Sequence, residues 1–204
     1  MNKYFGQRCH EQRIEQIKND PWSIKYMKRQ SHQMCLEAVT RIGATLKYCA
    51  VKTPQICLAA IDTDPWALEY ADFQPTYVVL AAVRKSGLAL QFANVQTREI
   101  CMAAVLQNGC AIRWVRNQTQ ELCKAAIRTN PAAFKYIRDK NAELCTLLVQ
   151  TDGCALHMIK DQTHDICMIA VKQNGLALHF VKDKTPTICL EAIKQNPAAI
   201  KLII

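Results

Sequence analysis

Apolar positions along this chain recur in a register of 22 residues, longer than the period of any single helix or strand. Cys35, Cys57, Cys101, Cys123, Cys145, Cys167 and Cys189 mark a ladder with that step, and Arg13 and Val79 fill its other two rungs. Four residues after each rung stands a β-branched residue: Ile17, Val39, Ile61, Val83, Val105, Ile127, Val149, Val171 and Ile193. Eleven after come Ile24, Leu46, Leu68, Leu90, Ile112, Phe134, Leu156, Leu178 and Ile200. Thirteen after comes a column of large apolar residues: Tyr26, Tyr48, Tyr70, Phe92, Trp114, Tyr136, Met158, Phe180 and Leu202.

Eight residues after each rung the residue is always proline or glycine, from Pro21 and Gly43 to Gly175 and Pro197. Proline fixes φ near −65° and cannot take the left-handed conformation glycine often supplies. A slot shared by both therefore has ordinary helical φ and needs no amide donor, which describes the first residue of a helix. The residue before it agrees, being Asp, Asn or Ser in every unit except Ile42. A second helix start lies four residues before each later rung, where Ser31, Thr53, Thr97, Thr119, Asn141, Thr163 and Thr185 can cap and Pro75 breaks the rule.

Each unit is thus expected to hold a helix of about ten residues, a tight turn, a helix of about eight and a two-residue link. Helices this short are marginal alone, so stacking must supply the stability. The predicted fold is all-α: an α-solenoid of nine tandem 22-residue helix-turn-helix repeats, one domain over residues 12–204 behind an N-terminal extension at 1–11.

The segments ICMIAVKQNGLALHF (166–180) and VVLAAVRKSGLALQF (78–92) resemble the repeats of the family called domain of unknown function forty-one-sixteen, abundant in giant DNA viruses. The resemblance covers about residues 12–204. It implies a viral or virus-acquired protein with no assigned activity and no catalytic residues to carry over.

Composition narrows the classes. Half the 204 residues are apolar, and 26 Lys and Arg against 17 Asp and Glu give a formal charge of +9. Residues 1–34 carry +4, 35–100 carry 0 and 101–204 carry +5. Such a balance permits nucleic acid, an anionic surface or an acidic protein as partner. Met1 to His10 is polar, and no apolar run reaches the ~20 residues a spanning helix needs, so neither export nor membrane insertion is expected. Eleven cysteines without an export signal suit a reducing compartment, the host cytoplasm or a virion.

Equivalent ladder cysteines should lie ~8–10 Å apart in stacked layers, too far for a disulfide, which needs Cα atoms about 4.4–6.8 Å apart. They are expected to be buried small hydrophobes. The strongest metal cluster the spacing offers is Cys154, His157, His164 and His179, but C-x-x-C is absent and no metal site is predicted. Buried thiols also make poor nucleophiles, so no catalytic residue and no cofactor are expected.

The slot twelve residues after each rung lies opposite the predicted buried stripe. Lys25, Lys47, Arg113, Lys135, His157, His179 and Lys201 form the candidate partner-binding stripe, interrupted at Glu69 and Gln91. A second basic column, Lys28, Arg116, Arg138, Lys160 and Lys182, ends the same helices and is expected to meet the helix dipole. The neighbouring aromatic column reads as core, which argues against base stacking. Leu202, Ile203 and Ile204 leave an apolar end face suited to self-association. The expected function is non-enzymatic: binding of a viral structural or host protein, with nucleic-acid backbone binding as the runner-up.

Overall fold

A computed structural model describes residues 2–203, with side chains from His10 onward. Among these residues nine α-helices alternate with nine 3-10 helices, and there is no strand. The chain forms two compact units, 1–107 and 108–204. The first holds α1 (Asn2–Asn19), α2 (His32–Arg41), α3 (Pro54–Thr63), α4 (Thr76–Lys85) and α5 (Arg98–Gln107), with 3-10 helices Pro21–Tyr26, Gly43–Tyr48, Pro65–Tyr70 and Gly87–Phe92 between them. The second opens on Gly109–Trp114. It continues with α6 (Gln120–Thr129), Pro131–Tyr136, α7 (Ala142–Thr151), Gly153–Met158, α8 (His164–Gln173), Gly175–Phe180, α9 (Pro186–Gln195) and Pro197–Leu202.

Both helix starts follow from the capping residues. The ladder-side caps accept from the third helical amide, as Asn141 does from Leu144 N (2.9 Å) and Ser31 from Met34 N (3.2 Å), while Pro75 caps nothing. The Pro/Gly slot opens each 3-10 helix. Before it, Asp64 accepts from Trp66 N at 2.9 Å and Asn130 from Ala132 N at 3.0 Å. Ile42 makes no such bond, and neither does Ser86. This one extended residue ends the α-helix and starts the 3-10 helix, as Asp64 does at φ −145°, ψ 104°.

The second helix of each repeat differs from expectation: six residues of 3-10, followed by a link of five residues such as 49–53. So short a segment closes more i→i+3 than i→i−4 bonds, and Ala111 N to Asn108 O (2.8 Å) and Val115 N to Ile112 O (3.2 Å) do so at its two ends.

The Pro/Gly slot has ordinary φ throughout, since no described residue has positive φ. Glycine serves close approach instead. A Cβ on Gly87 would stand 2.2 Å from the Ala104 carbonyl oxygen of the next repeat. Nor is the slot's amide idle: Gly87 N donates to Gln107 Oε1 at 2.5 Å, and Gly153 N to Gln173 Oε1 at 2.8 Å.

Within each unit the α-helices stack in one layer and the 3-10 helices in another, and the core lies between them. The columns four and eleven residues after the rung fill it, with Ile17, Ile61 and Leu90 fully buried in the first unit and Ile127, Val149 and Leu178 in the second. The rung thiols sit at the layer edge and point back to the preceding link: Cys57 donates to the Lys52 carbonyl and Cys167 to Gln162 Oε1, each at 3.8 Å.

A polar column stitches the layers together. Five residues before the rung, Gln30 donates to the carbonyls of Ile24 and Tyr48, both at 2.9 Å, and accepts from Ala50 N at 2.7 Å. Gln74 repeats this on Leu68, Phe92 and Asn94; Gln118 on Ile112, Tyr136 and Arg138; Gln162 on Leu156, Phe180 and Lys182. One amide thereby satisfies carbonyls at the ends of two successive 3-10 helices.

Candidate interaction surface

At three residues per turn, positions nine and twelve after the rung share one side of the 3-10 helix, and this side faces out. Lys25, Lys47, Arg113, Lys135, His157, His179 and Lys201 are all exposed, as is Glu69, whereas Gln91 is half-buried. Of the seven candidate residues, Lys25 and Lys47 lie in the first unit and the other five in the second.

Lys25, Lys47 and Arg113 each stand over two rings and Lys135 over one. In the first unit Lys25 Nζ lies 5.6 Å from the Tyr26 ring centre and 5.4 Å from that of Tyr48, and Lys47 Nζ lies 5.9 Å from Tyr48 and 5.7 Å from Tyr70. In the second, the Arg113 guanidinium lies 4.9 Å from Trp114 and 5.6 Å from Tyr136, and Lys135 Nζ 4.7 Å from Tyr136. Each such contact is worth about 0.5–1 kcal/mol at an exposed site. The rings fix where the charges stand.

The aromatic column is therefore not core. Tyr26 is 79% exposed, and Tyr48, Tyr70, Phe92, Trp114, Tyr136 and Phe180 are half-buried. Each ring closes a 3-10 helix where the chain turns into the link, and those of Tyr26, Tyr48, Tyr70, Trp114 and Tyr136 meet a cation. Trp22 and Trp66, 43% exposed, add edge-on contacts to Tyr48 (6.1 Å) and Phe92 (5.6 Å). In the first unit, then, Trp22, Lys25, Tyr26, Lys47, Tyr48 and Tyr70 group rings with ammonium ions, and Glu69 and Gln91 end the run of cations.

The histidines complete the second unit's column differently. His157 and His179 both lean on the Phe180 ring, at 5.2 and 5.0 Å. His157 Nδ1 pairs with the Cys154 carbonyl at 2.8 Å, and the Cys154 sulfur accepts from Asn174 Nδ2 at 3.2 Å. These side chains do not converge, and among the described residues no three His, Cys, Asp or Glu gather into a metal-holding group. The second basic column acts on backbone: Arg138 donates to the carbonyls of Arg116 and Val115, both at 2.9 Å, and Lys182 to Lys160 O at 2.6 Å. Leu202 is half-buried, Ile203 is 41% exposed beside Ile200 at 59%, and Ile204 lies outside the described residues.

The thiols divide by their surroundings. Burial pushes Cys57, Cys123 and Cys167 above the ordinary thiol value. Cys35 goes the other way, to about 6, because the Cys49 thiol donates to its sulfur and link amides of Val51 and Ala50 point at it, while Cys49 is pushed up by that same neighbour. Cys49, fourteen residues after the rung, is thus in contact with a ladder thiol of its own repeat; ladder spacing alone does not reveal the pair. The glutamine column was also legible as a recurring Gln or Lys five before the rung, yet its role depends on the long link.

No described helix is long and apolar enough to cross a membrane. The family model described as "Domain of unknown function (DUF4116)" matches residues 77–120 and 163–203. No curated protein and no solved structure matches the chain.

Proposed function

We propose that this chain, two segments of which match the DUF4116 family model, is a non-enzymatic scaffold of such repeats that holds an acidic protein along their 3-10 edge. The supporting observation is the order imposed on the cations: Lys25, Lys47, Arg113 and Lys135 each stand over a ring within 6 Å while remaining exposed. Charges held in place lose less side-chain freedom when a carboxylate docks. The likeness to repeats abundant in giant DNA viruses supports a large-DNA-virus protein that works in virion assembly or binds a host factor, in the host cytoplasm or the virion. The exposed Ile200 and Ile203 support self-association there.

A second reading, nucleic-acid backbone binding, is favoured by the exposure of the rings, since bases can stack on half-open tyrosine and tryptophan faces. Fluorescence anisotropy with an oligoglutamate peptide and with single-stranded DNA separates the two. Tighter binding of the peptide at equal salt, lost in Arg113→Glu/Lys135→Glu, is the expected outcome. DNA binding that is tighter and quenches tryptophan fluorescence would replace the first reading with the second.

A further inference from the structure

In the glutamine layers the side-chain amide bridges consecutive links, and in the second unit Gln118 and Gln162 do this. At the start of α7 the position belongs to Lys140. Its ammonium turns back on its own link, donating to the Ile137 carbonyl at 2.8 Å and standing 5.3 Å over the Phe134 ring. Lys184, by contrast, reaches across to the Leu202 carbonyl at 2.6 Å. Lys140 does not reach across. The Met158 carbonyl and the Lys160 amide, counterparts of the Tyr136 carbonyl and Arg138 amide that Gln118 engages, lack a side-chain clamp.

A hollow of about 400 Å³ opens at this place, walled by Phe134, Cys145, Met158, Ile159 and Ile166. That is the size of a small-ligand site, and its lining has the usual mixture of apolar wall and few polar groups. Cys145 is half-buried here, whereas the neighbouring rungs Cys123 and Cys167 are buried. Phe134 is the only aromatic in its column, and Met158 stands where the flanking repeats carry Tyr136 and Phe180. The next hollow, about 460 Å³, is open although Gln162 in its wall already holds both carbonyls and Lys182 N, so the hollow belongs to the repeat, and what sets the Lys140 layer apart is its unclamped backbone pair and its apolar wall.

We propose that the hollow over Cys145 is a small-molecule site for a primary carboxamide carried on a compact apolar body. The carboxamide NH2 donates to the Met158 carbonyl and its oxygen accepts from Lys160 N, as a glutamine side chain does in the sister layers. The body lies against Phe134, Met158 and Ile166. A neutral carboxamide suits the two backbone groups, because a carboxylate has no hydrogen to donate to the Met158 carbonyl.

The test is a titration of the full ¹⁵N-labelled chain with benzamide, followed by amide shifts. Saturable shifts of Lys160 and Cys145 with an affinity near 1 mM are expected, roughly what so small a ligand supports. Lys140→Gln installs the missing clamp and should weaken benzamide about tenfold or more. Met158→Phe fills the hollow with the ring the flanking layers use and should do the same. Absence of shifts at Lys160, wild-type affinity retained by both variants, or tighter binding of benzoate than of benzamide would each overturn the assignment.

Discussion

At the residue scale, the Pro/Gly slot shows how far a pattern carries. The shared slot fixes ordinary φ and the start of the second helix, both read from proline's ring; that this helix is 3-10 was not. What glycine adds is a contact with the next repeat, which no single unit contains: Gly87 lies so near Ala104 O that a methyl group would collide at 2.2 Å. Gly87→Ala should therefore destabilise the protein by about 1–3 kcal/mol through overpacking, although alanine is the better helix former by about 1 kcal/mol; urea midpoints decide. The thiols yield a second prediction. Cys57, Cys123 and Cys167 have folded pKa values above their unfolded ones, so the native state holds more protons as pH rises past the ordinary value of 9.0. The stability they give is full below that pH and is lost above it. Urea midpoints of wild type should fall between pH 8 and about 10, and Cys123→Ala/Cys167→Ala should fall less steeply. Cys35 is lowered and Cys49 raised by their mutual contact, so the contributions of this pair to the pH dependence oppose each other.

At the element scale, the α-helix starts were legible because caps and apolar spacing agree at every rung but one. The second helix was legible in place and not in kind. Apolar residues ten, eleven, thirteen and fourteen after the rung fit either period, since one turn of α and one of 3-10 differ by less than a residue. Outward positions nine and twelve, three apart, carry the distinction: Trp66 is exposed with Glu69, and Leu176 with His179. The short 3-10 helix leaves terminal carbonyls that a longer link allows glutamine to satisfy, so the glutamine column and the 3-10 geometry are one device. Gln118→Ala strips partners from the Ile112 and Tyr136 carbonyls and from Arg138 N. It should cost about 1–3 kcal/mol, and Gln118→Lys should cost less, because Lys184 shows that an ammonium can hold the far carbonyl. Equal losses for the two variants would indicate that packing of the side chain, and not its hydrogen bonds, stabilises the layers.

At the scale of the molecule, Lys and Arg exceed Asp and Glu by 4 in residues 1–107 and by 5 in 108–204, so each unit carries its own positive surface. Which cations face outward was legible from the slot's polar character. That the rings beside them face outward too was not, because an apolar residue at a helical position fits a core or a half-open edge equally well in a binary pattern. This matters for binding, since rings that hold the cations make each unit's column a surface in its own right. Lys25→Glu/Lys47→Glu alters one column and Arg113→Glu/Lys135→Glu the other, with no residue shared between them. If a short acidic peptide uses either column, each pair of changes removes one class of sites and leaves the other at its original affinity. A longer acidic chain that engages both cations of one column gains from effective concentration, so the pair of changes in that column should weaken it by more than it weakens the short peptide. Anisotropy titrations of short and long oligoglutamates against the three proteins measure this directly. The affinities should fall with rising salt as exposed charge pairs are screened, and a salt-independent affinity would rule out the cation columns as the binding surface.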